Sequence, residues 1–282
     1  MLTRTSHMLT GLLSVLYAVL GAVLFLLPNQ MAAVFAWKVT AFMTMTIGGW
    51  CLGNAWLAFF TARRWRWDLV YPALIYLWTF GILEAWIVIL FRDKLSLAHP
   101  IAWLYLITLV VNVIAAMVGV LDWLRLRPAA PTAERLTLWM RLLAIFFVLF
   151  VGFLGIWGLT AQIGDRATNG EIFPEIMSLF TLRSFGAFYL SLTVGMIPLL
   201  LEKNRAPFLN YAFLAQGLIV IITIAAFAFL SLFDFNEHPF GALYFAAYIG
   251  AGLVSLLLFW RYGTGLPKGQ EATGYTGSRS SI

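Results

Sequence analysis

Leu69–Phe91 reads LVYPALIYLWTFGILEAWIVILF, and Glu84 is its only charged residue. As an α-helix rising 1.5 Å per residue, such a stretch is about 34 Å long. That is enough to cross a hydrocarbon core of about 30 Å. The apolar residues run on without two-residue alternation, so the stretch is a helix and not a strand of a membrane barrel. Seven further runs of the same kind lie at about 8–27, 39–61, 101–123, 137–160, 180–201, 207–232 and 241–260 by the same length criterion.

The composition of all 282 residues agrees. Hydrophobic residues make up 62% and charged residues 11%, with a mean hydropathy of +0.90. Soluble domains carry about 25% charged residues. A soluble enzyme, a disordered chain and a nucleic-acid binder are excluded. The single cysteine, Cys51, excludes a disulfide framework and any Cys-rich metal site. The run at 8–27 follows Arg4 and precedes Val34-Phe35-Ala36, a faint imitation of a secretory signal. Its apolar stretch is about twice the usual signal core, so it is read as a retained helix.

The basic residues set the expected orientation. Arg4, Arg63, Arg64, Arg66, Arg125, Arg127, Arg135, Arg141, Lys203, Arg205, Arg261, Lys268 and Arg279 fall on one side, which makes 13. Lys38, Arg92, Lys94, Arg166 and Arg183 fall on the other, which makes 5. The expectation is a multi-pass protein of the cell (inner) membrane with both termini cytoplasmic. The pI of 9.6 largely reflects this bias. Arg63-Arg64-Trp65-Arg66-Trp67 is read as an anchor to anionic lipid headgroups.

Two stretches point to an internal duplication. Phe35–Trp50, FAWKVTAFMTMTIGGW, aligns with Phe173–Phe188, FPEIMSLFTLRSFGAF, at an offset of 138. Gly48 then falls on Gly186, and Gly49 and Gly53 fall on Ala187 and Ser191. His99-Pro100 with Leu104-Tyr105 matches His238-Pro239 with Leu243-Tyr244. The expected fold is an all-α transmembrane bundle of eight helices. It forms two parallel four-helix repeats related by a pseudo-two-fold axis along the membrane normal. The first repeat is 1–124, the cytoplasmic linker 125–136, the second repeat 137–262, and a polar tail 263–282. The small residues Gly49, Gly53, Ala187 and Ser191 are expected where helices cross closely.

The segment from Phe173 to Leu199 carries Phe173-Pro174, Thr181, Arg183, Gly186 and Ala187. It resembles a motif of uncharacterised bacterial integral membrane proteins: Phe/Trp-Pro, then Leu-Thr-x-Leu-Thr-x-Arg, then Gly-Ala and an apolar helix. The first half echoes it, with Met45 in place of the arginine and Ala36 in place of the proline. The resemblance implies a bacterial source and a helical membrane fold, and it brings no activity or site.

Chemistry-bearing residues inside the spans are few. Glu84, Asn54, Asn112, Gln216 and Arg183 are the intramembrane polar candidates, with Arg141 near a helix end. Glu84 must face the interior, pair or be protonated, because an ionised carboxylate facing lipid costs several kcal/mol. Its counterpart in the second half is apolar, near Ala226, and Arg183 is its expected ion-pair partner by depth. In the outer loops, His99 and His238, with Asp93, Asp234 and Glu237, read as helix entries or as a weak metal or pH-sensing pair. Trp37, Trp65, Trp67, Trp103, Trp123 and Trp139 fit interfacial belts. Trp50, Trp78 and Trp86 lie deeper, as packing or as the lining of a quinone, pigment or lipid site. No metal-binding or catalytic motif occurs, and no haem-ligand pair or retinal lysine.

Three functions remain. One is a transporter or channel-like protein for a small solute or ion. The second is a non-catalytic subunit of a larger membrane complex of respiratory or photosynthetic type. The third is a lipid- or quinone-handling enzyme. The expected partners are the lipid bilayer and other membrane subunits or a second copy, with no nucleic acid.

Overall fold

The computed structural model describes residues 1–129, 134–164, 175–202, 204–237 and 239–263. They form nine α-helices: α1 Arg4–Leu26, α2 Pro28–Ala32, α3 Ala41–Arg63, α4 Trp67–Leu90, α5 Pro100–Leu126, α6 Leu138–Thr160, α7 Leu179–Glu202, α8 Arg205–Ala228 and α9 Phe240–Tyr262. No β-strand is present among the described residues; Arg135 and Asn204 make one isolated bridge.

Seven of the helices are long and apolar enough to cross a membrane. The eighth long helix, α3, has 23 residues but a more polar composition. Thr44, Thr46, Gly48, Gly49, Gly53 and Asn54 all lie in it and all are buried. Most of α3 is enclosed by other helices, so protein and not lipid surrounds its polar groups.

Local chemistry fixes the helix starts. Thr3, Thr40 and Thr137 cap α1, α3 and α6, each side chain accepting from the N–H three residues on. Pro28 and Pro100 occupy first-turn positions, where a missing N–H costs nothing. The expected boundaries move by a few residues. Helix α1 starts at Arg4, before the apolar run begins, because Thr3 provides the cap. Helix α8 ends at Ala228 and passes into a 3₁₀ turn, Leu230–Leu232. The short α2 was not legible in the apolar pattern.

The packing has a simple plan. Helix α1 lies along α3, and α6 lies along α7. Helix α4 lies along α5, and α8 along α9. Helices α3 on α8, α4 on α7, and α4 on α8 join these pairs. Helix α1 also packs on α5, whereas among the described residues α6 and α9 share no comparable face.

Glycines set the closest approaches. A Cβ on Gly21 would lie 2.7 Å from the Leu52 backbone, and one on Gly48 would lie 2.6 Å from the Phe25 nitrogen. Between α6 and α7, a Cβ on Gly155 would lie 2.6 Å from the Leu190 nitrogen, and one on Gly186 2.4 Å from the Leu159 nitrogen. Missing side chains thus let backbones touch, which favours helix association in lipid. Gly53, as expected, sits at a crossing, pressed on Leu218 of α8. Gly49 meets Ile222 of the same helix at ordinary van der Waals distance.

Apolar side chains cover the outside. Val110 and Met117 of α5, Phe146 and Phe153 of α6, and Leu253 and Leu257 of α9 are exposed. Such surfaces suit contact with lipid chains.

Candidate functional site

The buried polar groups gather where α4 meets α5 and α7. Glu84 lies in α4, six residues before its Leu90 end, or about 9 Å along the axis, and is only 4% exposed. Its Oε1 accepts hydrogen bonds from the Tyr105 hydroxyl of α5 at 2.7 Å and from the Ser184 hydroxyl of α7 at 3.0 Å. Its Oε2 is buried with no hydrogen-bond partner. Among the described residues no Lys, Arg or His pairs with it. Cys51 of α3 and Tyr17 of α1 lie within its electrostatic reach.

The expected ion pair with Arg183 is not formed. Successive residues of a helix point about 100° apart. Ser184 faces α4, so Arg183 is turned away. Its guanidinium donates to the Ala161 carbonyl at the end of α6 at 3.4 Å and lies 5.4 Å from the Phe91 ring centroid. A hydroxyl, and not a cation, therefore crosses from α7 to Glu84.

Two amides extend the polar line. Asn112 of α5 donates to the Tyr17 hydroxyl of α1 at 2.7 Å, and its Oδ1 is buried without a partner. Gly81 of α4 makes room for it, since a Cβ there would lie 2.7 Å from the Asn112 amide carbon. Asn54 of α3 accepts from the Tyr76 hydroxyl of α4 at 2.5 Å. Gln216 stands apart, half-buried, its amide 3.5 Å from the Gly252 carbonyl.

Aromatic rings cover the group at the Leu90 end of α4. Trp37 stacks on Phe180, with centroids 4.1 Å apart, and meets the Tyr105 ring edge-on. Phe91 stacks on the other side of this cluster, against Phe180. The Trp37 indole N–H donates to Thr181 of α7 at 3.0 Å. Trp37 was expected in an interfacial belt and is instead buried, because this bond and the stack hold it inside. Trp50 stacks on Phe188 and Trp78 lies against Gly119, so both are packed. Trp86 is exposed on the outer surface. Trp103, Trp123 and Trp139 are exposed too, as an interfacial belt requires.

The outer-loop candidates that the structure describes lie on the surface. His99 stands at the N-cap position of α5 ahead of Pro100, makes no capping bond with its side chain and is exposed. Asp93 pairs with Lys94 at 3.3 Å on the surface. Asp234 accepts from the backbone N–H groups of Asn236 and Glu237, a local turn. His238 lies outside the described residues. Among the described residues no three His, Cys, Asp or Glu side chains gather as a metal site would require. In the basic stretch 63–67, Arg63 is exposed and the residues after it have partners within the protein. Arg64 donates to Asn210 at 2.5 Å and lies over the Phe60 and Phe213 rings. Burial, with Arg63 beside it, lowers the Arg64 pKa. Arg66 pairs with Asp68 at 2.7 Å, and Trp65 stacks on His7.

Ser184, Tyr17 and Tyr76 were not singled out by the sequence, and Tyr105 and Cys51 stood there only as a repeat landmark and as the single cysteine. Each sits in an apolar helix, where the residue type alone carries no sign of what it faces. Compared with family models, with curated proteins and with solved structures, the chain matches none.

Proposed function

We propose that the chain is a small-ion transporter of the cell membrane, built as two parallel four-helix repeats, with Glu84 binding the ion where the repeats meet. The observation that carries the reading is Glu84 itself. It is a carboxyl group deep in a membrane helix, held by α5 of its own half and α7 of the other. Intramembrane carboxyl groups are costly and mark ion pathways.

The repeat is supported by paired contacts. An offset of 134 places Thr3 on Thr137, Gly21 on Gly155 and Arg4–Leu26 on Leu138–Thr160. The offset of 138 places Gly48 on Gly186 and Leu52 on Leu190. The Gly21–Leu52 and Gly48–Phe25 approaches then correspond to Gly155–Leu190 and Gly186–Leu159. At the same offset, Trp67–Leu90 falls on Arg205–Ala228, and each is followed by a 3₁₀ turn, Arg92–Lys94 and Leu230–Leu232. The α3–α8 and α4–α7 contacts exchange with each other under such a rotation, and α4–α8 lies on its axis. The distribution of arginine and lysine supports cytoplasmic termini.

Flux into vesicles tests the function. The purified chain is reconstituted with an entrapped indicator for H⁺, Na⁺ or K⁺, and gradients of each are imposed. Flux of one ion above that of empty vesicles, lost in Glu84→Gln, is the expected result. Equal leak in empty, wild-type and Glu84→Gln vesicles for all three ions would overturn it.

A further inference from the structure

We propose that Glu84 is a proton-binding site, occupied at rest as the neutral acid with its proton on Oε2; this rests on the transport reading and names its ion. The hydrogen bonding is lopsided. Both donors, Tyr105 and Ser184, address Oε1, and Oε2 has none. A carboxylate has two equivalent acceptor oxygens and demands donors at both, whereas the neutral acid divides into one carbonyl acceptor and one hydroxyl. The neutral acid fits this better than the carboxylate: Oε1 takes both donors as the carbonyl oxygen, and Oε2 is left as one unpaired neutral hydroxyl in place of a bare charge. An ionised Glu84 would leave a bare charged oxygen in an apolar interior.

The surroundings favour a proton over a metal cation. The groups bonded to Glu84 are Tyr105 from α5 and Ser184 from α7; Cys51 of α3 and Tyr17 of α1 lie within its electrostatic reach, and among the described residues no Lys, Arg or His pairs with it. Hard cations take about six oxygen ligands, several of them charged or carbonyl. Here the two hydroxyls already direct hydrogens at Oε1, and only one carboxyl group is present. A proton needs a single oxygen. On release, the Oε2–H bond breaks, the electron pair stays on oxygen and the proton passes to water at a membrane face. Tyr105 and Ser184 then hold the charge left behind, which gives these two donors a use in both states.

Infrared difference spectroscopy on the protein in lipid tests this without any flux. Wild type minus Glu84→Gln at neutral pH should contain the carbonyl stretch of a neutral carboxyl group, shifted by exchange into D₂O. Ser184→Ala keeps Glu84 and should move the same band to higher frequency, since the carbonyl loses a donor. It supplies the assignment if Glu84→Gln does not fold. A carboxylate signature in place of that band would overturn the proposal. A band that does not respond to D₂O would overturn it too, since the site would then be sealed. Because the band is read without transport, its loss together with a persistent Na⁺ or K⁺ flux would remove the proton and leave the transporter. An exchanging band in a chain without flux would do the reverse.

Discussion

Residues 1–124 and 137–262 share two helix pairings, α1–α3 with α6–α7 and α4–α5 with α8–α9, but differ in a third and in their chemistry. In the first stretch, α1 and α5 are tied together. Asp122 Oδ2 accepts from the Thr3 N–H at 3.1 Å, from the Thr3 hydroxyl and from the Ser6 hydroxyl at 2.5 Å, while Asn112 bonds Tyr17. In the second, the positions matching Asp122 and Asn112 at an offset of 139 are Arg261 and Ala251. Arg261 is exposed, and α6 and α9 have no shared face among the described residues. At the offset of 138 the counterpart of Glu84 is Ile222, about one helical turn before the expected neighbourhood of Ala226, and it is fully buried and apolar. A polar pair of the second stretch is Tyr189 with Tyr248, hydroxyls 2.8 Å apart. Backbone contacts at glycine are thus shared, while the buried acids among the described residues, Glu84 and Asp122, both lie in the first stretch. On the proposed duplication, packing was kept because backbone contact tolerates no added atom, while side chains facing inward were free to diverge.

The sharpest way to break this comparison is at the glycines. Gly48→Ala and Gly186→Ala each drive a methyl group into backbone that cannot move away. Each should cost about 3 kcal/mol, the upper range for overpacking, read as the shift of the denaturation midpoint in detergent. Losses that differ several-fold between the two would end their equivalence.

Next comes the tie between α1 and α5. Asp122→Ala strands the Thr3 and Ser6 donors and should cost about 2 kcal/mol, as for hydrogen bonds to a charged group. Arg261→Ala should change stability by less than about 0.5 kcal/mol, as exposed substitutions do. Thermal unfolding of the two variants side by side checks this, and equal losses would remove the asymmetry.

The smallest effect is expected at Tyr189→Phe. It removes one half-buried hydroxyl pair and should cost about 0.5–1 kcal/mol. Unfolding in the same detergent measures it. A loss as large as that of Asp122→Ala would mean that the second half depends on its polar pair as much as the first depends on its own.

Much of the fold could be read along the chain, because a bilayer demands long apolar helices whatever their neighbours. The run around Glu84, Pro100 at a helix start and the small residues of α3 and α7 carried their meaning locally, whereas the capping role of Thr3, Thr40 and Thr137 came from the structure. Depth was legible as well: Glu84 and Arg183 do lie near the same level. Direction around the helix was not. Whether Arg183 or Ser184 meets Glu84 depends on a rotation of about 100° per residue, and an all-apolar helix has no polar face to reveal that rotation. Trp37 shows the same limit. Its place near a helix end suggests the interface, yet a partner more than a hundred residues away, Thr181, draws it inside.

By itself, then, the sequence determined a helical membrane chain, its helix lengths and the one carboxyl group deep within it, since these follow from hydropathy and local geometry. Only the tertiary structure decided that Glu84 is met by Tyr105 and Ser184 with one oxygen left bare. That outcome depends on how three helices are turned toward one another, which side-chain packing fixes and no single stretch encodes.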